Sequence, residues 1–495
     1  MKLTKIALAL ACLVGSTAAF AAPVTQAQIE AARVAGTLQQ AWISGATAPT
    51  ISVYEGWVGS GAGVGCDAGT NTIFTSQTGV GNANVKPGSI GNFMAYACTR
   101  SGVVSVLYHV LDGGSLLAYA PHTVGTKLAR LKYVGTSTCA TTTAYTDASN
   151  PDNNATVLKG CNLTGSALPS TGATAASNTA NATAVAADSL APQLPVGGFS
   201  DVEAALFPTI IGGGDVLSKG LEGQANIGQV FGLAVSTPLY RALQAAQGVS
   251  AAAIAADTTF DPSIAPNITS EQYVSMIASG GAYQTDWSPI IPGSTKRIIV
   301  ARRVDTSGTQ ASSNAFFLKN PCASGLSANL IPAKAADSVL PLGSGFEVFE
   351  GSSTGNVKTR LTTAATAGDF AIGVVSAEND WRTEAAATAG YRYVKIDGVH
   401  PEAGDTVNAR ATATNGNYPF HMETRNFVAN TATGFGALVV GQITAALSNP
   451  PATSCAVVPR GLTLNPLGGS SCTVGAQVMK GTVLGNNCSP YQLTQ

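Results

Sequence analysis

Short apolar runs alternate with stretches of helical spacing along most of this chain. Residues 93–98, 103–110, 230–235, 298–301 and 370–375 are nearly continuous apolar runs of strand length, and Trp42-Ile43 makes a shorter one. Helix starts fall between them. Thr25 with Gln28, and Thr269 with Gln272, have capping-box spacing. The first predicts a helix over 25–40 with Ile29, Val34 and Leu38 as apolar positions; the second predicts a helix that puts Tyr273, Met276 and Ile277 on one face. Pro49 ahead of Val53, Trp57 and Val58 opens another, and Pro238-Leu239-Tyr240 a further one. Ser200 with Glu203, and Ser307 with Gln310, repeat the capping spacing. They predict that Asp201 sits in a first helical turn and that 310–318 continue as a helix. Strands alternating with helices imply an α/β fold.

The richest local chemistry is Arg303-Val304-Asp305-Thr306-Ser307-Gly308-Thr309, between the apolar run 298–301 and the helix predicted for 310–318. A helix start offers unpaired N–H groups and the positive end of the dipole. Two hydroxyls, a glycine and a guanidinium there suit an anion. The same residues also suit an ordinary polar βα loop with a surface Arg. The run Gly59-Ser60-Gly61-Ala62-Gly63-Val64-Gly65 misses the G-x-G-x-x-G spacing and has no strong strand before it, so it is expected to be a flexible loop rather than a dinucleotide site.

Composition narrows the class. Lys2 and Lys5, the apolar stretch 6–14 and Ala19-Phe20-Ala21 have the layout of a secretory signal over 1–21, with Cys12 inside its apolar part. A periplasmic or secreted protein is expected, and no later apolar run has the length of a membrane span. Eight cysteines follow: Cys66, Cys98, Cys139, Cys161, Cys322, Cys455, Cys472 and Cys488. An even count in an exported chain favours disulfides. No C-x-x-C pair occurs and His109, His122, His400 and His421 are scattered, so no metal site is expected. Sequence does not fix connectivity. Nearness along the chain suggests Cys66–Cys98, Cys139–Cys161 and Cys455–Cys472, which leaves Cys322–Cys488. Charged residues make up only 11% of the chain and the net charge is −1, which argues against nonspecific nucleic-acid binding but not against a small anion. From 136 to about 195 the composition shifts to Thr, Ala, Ser and Asn, as in an insertion with a weakly ordered tract at 166–187.

In order, these segments resemble the phosphate-binding proteins of ABC transporters, within the type 2 periplasmic-binding fold. The family's G-A-T-x-P loop is matched by Gly45-Ala46-Thr47-Ala48-Pro49, its S-D helix start by Ser200-Asp201, and its R-x-D-x-S-G-T motif by residues 303–309. Asp286-Trp287 is similar to a W-D pair before that motif, and Gly368-Asp369-Phe370-Ala371-Ile372-Gly373 to the strand returning to the first lobe. The likeness spans about 43–428, with large gaps. It implies two lobes with discontinuous domains: lobe I from 22–230 and 376–495, including the insertion (136–195) and a disulfide-bearing C-terminal extension (436–495), and lobe II from 231–375.

The resemblance further implies that Thr47, Ala48 and Asp201 face Arg303, Ser307, Gly308 and Thr309 around one tetrahedral anion, with Asp305 orienting Arg303. The nearest equivalent of the family's S-S-G-G turn is Thr99-Arg100-Ser101-Gly102, so Thr99 and Ser101 join the expected ligand set; Arg100 adds a charge or faces solvent. The match is imperfect there, and Ala48 stands where Phe is common. Asp201 would accept a proton from hydrogen phosphate and reject sulfate, which has none to give; its bland role is to complement a helix dipole. The expected protein is a monomeric solute-binding protein without cofactor or catalysis, serving an ABC permease. A secreted phosphatase is the enzymatic alternative, although no G-x-S-x-G, H-E-x-x-H or P-loop occurs. An exported surface or structural protein reusing the fold is the other.

Overall fold

The computed structural model describes residues 22–59, 65–77, 91–123, 129–145, 156–163, 165–167, 194–207, 216–258, 260–278, 286–323, 337–341, 345–448, 455 and 458–494. The expected signal (1–21), most of the glycine loop (60–64) and residues 168–187 of the expected weakly ordered tract lie outside them.

Local rules account for many of the elements. The capping box at Thr25 starts α1 (Gln26–Val34). The helix does not reach residue 40: Gly36 takes a left-handed φ of 70° and stops it, and the chain turns into β1 (Gln39–Gly45). Pro49 precedes α2 (Thr50–Val58). Next come β2 (Thr72–Thr75), β3 (Phe93–Arg100), β4 (Val103–Val110), β5 (Cys139–Tyr145), β6 (Thr156–Cys161), β7 (Gly197–Ser200) and β8 (Gly220–Ser236). No helix starts at Ser200. Its Oγ donates to Val202 O at 2.6 Å, the chain bends at Asp201, and the Glu203 carboxylate takes bonds from Asn487 rather than closing a capping box. After α3 (Thr237–Ala246), the Thr269–Gln272 capping box starts α4 (Ser270–Ile277). Then follow β9 (Ile298–Arg303), α5 (Gly308–Leu318), β10 (Ser338–Pro341), β11 (Phe346–Gly351), α6 (Thr354–Thr366), β12 (Ala371–Ser376), β13 (Tyr391–Tyr393), β14 (His421–Ala429), α7 (Gly434–Ser448) and β15 (Leu462–Leu464).

These 15 strands form one mixed sheet in the order β10-β11-β9-β12-β8-β14-β7-β1-β4-β3-β2-β6-β5, with β13 and β15 also paired to β8; the other described strands form three two-stranded sheets. The 17-residue β8 runs through its middle and changes partners. Gly220 to Val230 lie against β14; Phe231 to Val235 lie against β12. The same arrangement recurs on either side. In one half β1 is parallel to β4 on one flank and to β7 on the other, and β14 follows β7 antiparallel. In the other half β9 is parallel to β11 and β12, and β8 follows β12 antiparallel.

Period-two burial covers both faces, as a central sheet requires. Ile298 and Val300 pack toward α5, with Ala311 and Ala315, whereas Ile299 and Ala301 pack toward Val357 and Leu361 of α6. Ile43 and Leu107 meet Trp57 of α2 and Ile443 of α7; Trp42 faces the other way and stacks on its cross-strand neighbour Tyr108 at 4.2 Å. Each such buried side chain contributes about 1.5–3 kcal/mol.

Four disulfides form: Cys66–Cys98, Cys139–Cys161, Cys322–Cys488 and Cys455–Cys472. Cys139 and Cys161 face each other across β5 and β6, so part of the expected insertion extends the sheet edge. The expected C-terminal extension is woven into the fold: α7 packs on α2, and β15 pairs with β8. Among the described residues no helix is long and apolar enough to cross a membrane.

Candidate functional site

Parallel strands end in loops at one edge of a sheet, and ligands gather where neighbouring connections diverge. β1 and β9 are each flanked by parallel strands on both sides, which creates such a crevice in each half. The loops after β1 (Ala46-Thr47-Ala48), β4 (Gly113-Gly114-Ser115), β7 (Asp201), β9 (Thr306-Ser307), β11 (Ser352-Ser353) and β12 (Ala377-Glu378) meet across the two halves.

Asp201 is at the centre, 2% exposed. Its Oδ2 accepts from Ser115 Oγ at 3.1 Å, and its Oδ1 has no partner. Burial pushes the carboxyl up to about 6, opposed by the Ser115 bond and by Arg303. Gly308, the first residue of α5, lies directly against this pair: a Cβ there would come within 2.2 Å of Ser115 Oγ and 2.5 Å of Asp201 Oδ2. Leu116 N donates to Thr306 O at 3.1 Å, so backbone from the two halves is in contact. The N–H groups of Thr47, Ala48, Gly308 and Thr309 have no acceptor among the described residues, and Ser307 and Thr309 are buried beside them. An unpaired carboxylate oxygen beside several unpaired donors is a combination that native interiors otherwise avoid.

Several expected roles change. Ser307 is the N-cap of α5 but makes no side-chain cap bond; Gln310 accepts from Arg303 N at 3.2 Å instead, because the strand end competes for it. The Ser307 N–H donates to Val304 O, so it is not a free donor. Asp305 pairs with Arg302, not Arg303. Arg303, 3% exposed, donates to Gly351 O, Ser352 O and Thr354 Oγ1 at 3.0–3.2 Å, which leaves two of its five N–H donors. Burial lowers its pKa to about 10, opposed by Asp201 and Asp337, so it remains a cation at neutral pH.

Thr99 and Ser101 lie elsewhere. Ser101 (φ 51°) and Gly102 (φ 78°) form the two-residue turn of the β3–β4 hairpin, held by Asp67: Thr99 Oγ1 donates to it at 2.6 Å and Ser101 N at 3.0 Å. That turn is at the start of β4, an eight-residue strand and so roughly 25 Å from its other end. Arg100 neither faces solvent nor joins the loops around Asp201; it stacks on Trp57 at 4.4 Å. The serine at the site is Ser115. Its signal was the Gly113-Gly114-Ser115 turn directly after an apolar strand.

A cavity of about 700 Å³ opens beside this cluster, lined by Thr47, Thr354, Glu378, Glu384 and Arg460 among others. Glu378 receives a bond from Ser376 Oγ at 3.3 Å; burial drives its carboxyl well above the usual range, and the charge of Asp201 adds to the rise. Its wall charges are otherwise matched, with Lys358 on Glu384 at 2.9 Å and Arg460 on Glu402. His109 bonds to Tyr96, His400 to the Tyr393 carbonyl and His421 to the Tyr418 carbonyl, away from this cluster. Among the described residues no group of three or more His, Cys, Asp or Glu is placed to hold a metal ion.

No family model matches the chain, and no curated protein matches it. Among solved structures it is similar to a putative phosphate ABC transporter substrate-binding protein with bound phosphate from Clostridium perfringens, at 12% identity over 53% of this chain and 75% of that one, with a TM-score of 0.30. A possible phosphate binding protein from Planctomyces limnophilus gives 11% identity over 50% and 67%, TM-score 0.26. An ABC-type phosphate transport receptor from Vibrio cholerae gives 12% over 45% and 66%, TM-score 0.26. At these scores the likeness carries no functional argument, and the chain's own residues have to.

Proposed function

We propose that this chain is a two-lobe solute-binding protein that captures hydrogen phosphate, or a similar protonated tetrahedral oxyanion, between the halves of its sheet. The lobes meet at Val230 and Phe231, where β8 exchanges β14 for β12. One observation carries the reading: the carboxylate of buried Asp201, whose Oδ1 has no partner, lies against the N-terminus of α5, where the N–H groups of Gly308 and Thr309 also lack acceptors. An anion that can also donate one proton satisfies both sets. Thr47 and the Ala48 N–H supply donors from the other crevice, and Ser115 takes the place expected of Thr99 or Ser101.

Capture of this kind requires no cofactor and breaks no bond, so a binding protein rather than an enzyme is the role proposed. An exported setting fits the four disulfides. Handing the anion to an ABC-type permease is the partner interaction implied.

Calorimetric titration with phosphate, arsenate and sulfate tests the reading. Phosphate and arsenate are expected to bind and sulfate to be rejected, because sulfate leaves the Asp201 oxygen unpaired in a buried site. Asp201→Asn should narrow that discrimination. No heat with any of the three ions would end the proposal.

A further inference from the structure

One wall of the cavity carries a group that anion capture does not use. Lys358 of α6 donates from Nζ to Asn379 Oδ1 at 2.8 Å and to Glu384 Oε1 at 2.9 Å. An amine, a carboxamide and a carboxylate therefore meet at one nitrogen, brought together by α6 and the loop after β12. The Lys358 and Glu384 side chains are only 14% and 12% exposed. Val357 and Leu361, on α6 to either side of Lys358, belong to a buried apolar cluster with Trp381 and Tyr391.

The carboxamide is held in one orientation. Its Nδ2 donates to Ser376 O at 3.0 Å and to Ser376 Oγ at 3.1 Å, and an ammonium can be met only by its oxygen. A C=O bond is about 1.23 Å long, so the Asn379 carbonyl carbon lies within about 4 Å of Nζ. Attack needs about 3–3.5 Å, which a slide of Nζ from the oxygen to the carbonyl face supplies. Glu384 is also fixed in place: the Tyr391 hydroxyl donates to its Oε1 at 2.9 Å, while its Oε2 is buried without a partner. Simple charge pairing explains neither the carboxamide on the same nitrogen nor the unpaired carboxylate oxygen.

We propose that Lys358 and Asn379 become joined by an intramolecular isopeptide bond, with Glu384 as the catalytic residue. Glu384 takes one proton from the Nζ ammonium and frees its lone pair. Nζ attacks the Asn379 carbonyl carbon; the new C–N bond forms and the π pair moves onto Oδ1. As that pair returns, the bond from the carbonyl carbon to Nδ2 breaks. The proton on Glu384 and the surplus proton on Nζ both pass to Nδ2, which leaves as ammonium. The carboxylate is restored, one proton stays on the new amide, and no oxidant or further reactant takes part. Lys358, Asn379 and Glu384 all line the cavity, which gives the ammonium its exit. The bond ties α6 to the loop that follows β12. Thr354 at the start of α6 holds the Arg303 guanidinium at 3.0 Å, so the helix supporting that cation would be covalently fixed. The inference is independent of which ligand the protein binds.

Mass spectrometry of the purified, disulfide-reduced full chain tests it, once the N-terminal residue has been determined. The parent is expected to be lighter than its own sequence requires by about 17 Da, one ammonia, and its digest to contain a branched peptide joining Lys358 to Asn379. Glu384→Gln leaves both reacting side chains in place. It is expected to have the full mass of its sequence while keeping the parent's circular-dichroism spectrum. A parent of full mass, or an ammonia deficit without the branched peptide, would overturn the inference. A deficit of about 18 Da, one water, mapped to Lys358 and Glu384 would also overturn it, by putting the bond on the acid. A branched peptide that persists in Glu384→Gln would remove Glu384 from the chemistry.

Discussion

Asp201 is buried at the expense of stability. Its carboxyl is raised to about 6 by burial, against about 3.8 when exposed in the unfolded chain. A raised carboxylate contributes instability, with a definite pH window. Below about pH 4 both states hold the proton and the group is neutral in its effect. Between there and pH 6 only the unfolded chain ionises, so stability falls as pH rises; above 6 the folded state carries the whole penalty. At about 1.4 kcal/mol per unit this amounts to roughly 1–3 kcal/mol. In phosphate-free buffer Asp201→Asn is therefore expected to raise the urea-unfolding free energy by about that amount at pH 8, and by almost nothing at pH 4. A variant no more stable than the parent at pH 8 would show that the buried charge has found a partner. The residue was identifiable from Ser200-Asp201, but its partner Ser115 was not, because the hairpin Thr99 to Gly102 looked like the nearer candidate and only the direction of β4 separates the two turns.

Elements were legible where their signals are local. The capping boxes at Thr25 and Thr269 form as spaced, since both partners lie within one turn and nothing competes. The same spacing failed at Ser200 and Ser307, where tertiary partners take the side chains: Asn487 on Glu203, and the Arg303 N–H on Gln310. β8 was legible only over 230–235, because its first half carries Gly, Glu, Gln and Asn and shows no alternation, its pairing with β14 being set by distant residues. The start of α5 offers a test at this scale. Helix propensity alone favours Gly308→Ala by about 0.5–1 kcal/mol. The new Cβ would instead lie 2.2 Å from Ser115 Oγ and 2.7 Å from the Asp201 Cβ, displacing the carboxylate. Phosphate affinity should drop roughly 10- to 100-fold, the worth of one charge-assisted hydrogen bond, while the melting temperature stays close to the parent's. Calorimetry of that variant showing unchanged affinity would mean that Asp201 and α5 do not act on a common ligand.

At the scale of the whole molecule, the least legible feature is how the C-terminal tail joins the two halves of the sheet. Cys322 lies just beyond α5, and its disulfide to Cys488 has a sequence separation of 166. The residues beside Cys488 are fastened to the other half. Asn487 N donates to Glu203 at 2.9 Å, Asn487 Oδ1 accepts from Glu423 N at 2.8 Å, and the Glu423 carboxylate takes the N–H groups of Val483 and Gly485. Glu203 is two residues past Asp201, and Glu423 is on β14, so the tail straps α5 to the half that carries the carboxylate. If ligand exchange requires the halves to part about β8, this strap limits the motion. The double variant Cys322→Ser with Cys488→Ser is expected to lose about 2–5 kcal/mol of stability, as for a disulfide closing a long loop. It should also release phosphate several-fold faster in stopped-flow displacement, because the open state is no longer covalently restrained. The stability loss alone would follow from any structural disulfide. Faster release is the discriminating result, and an unchanged release rate would mean that the anion leaves without separation of α5 from Asp201.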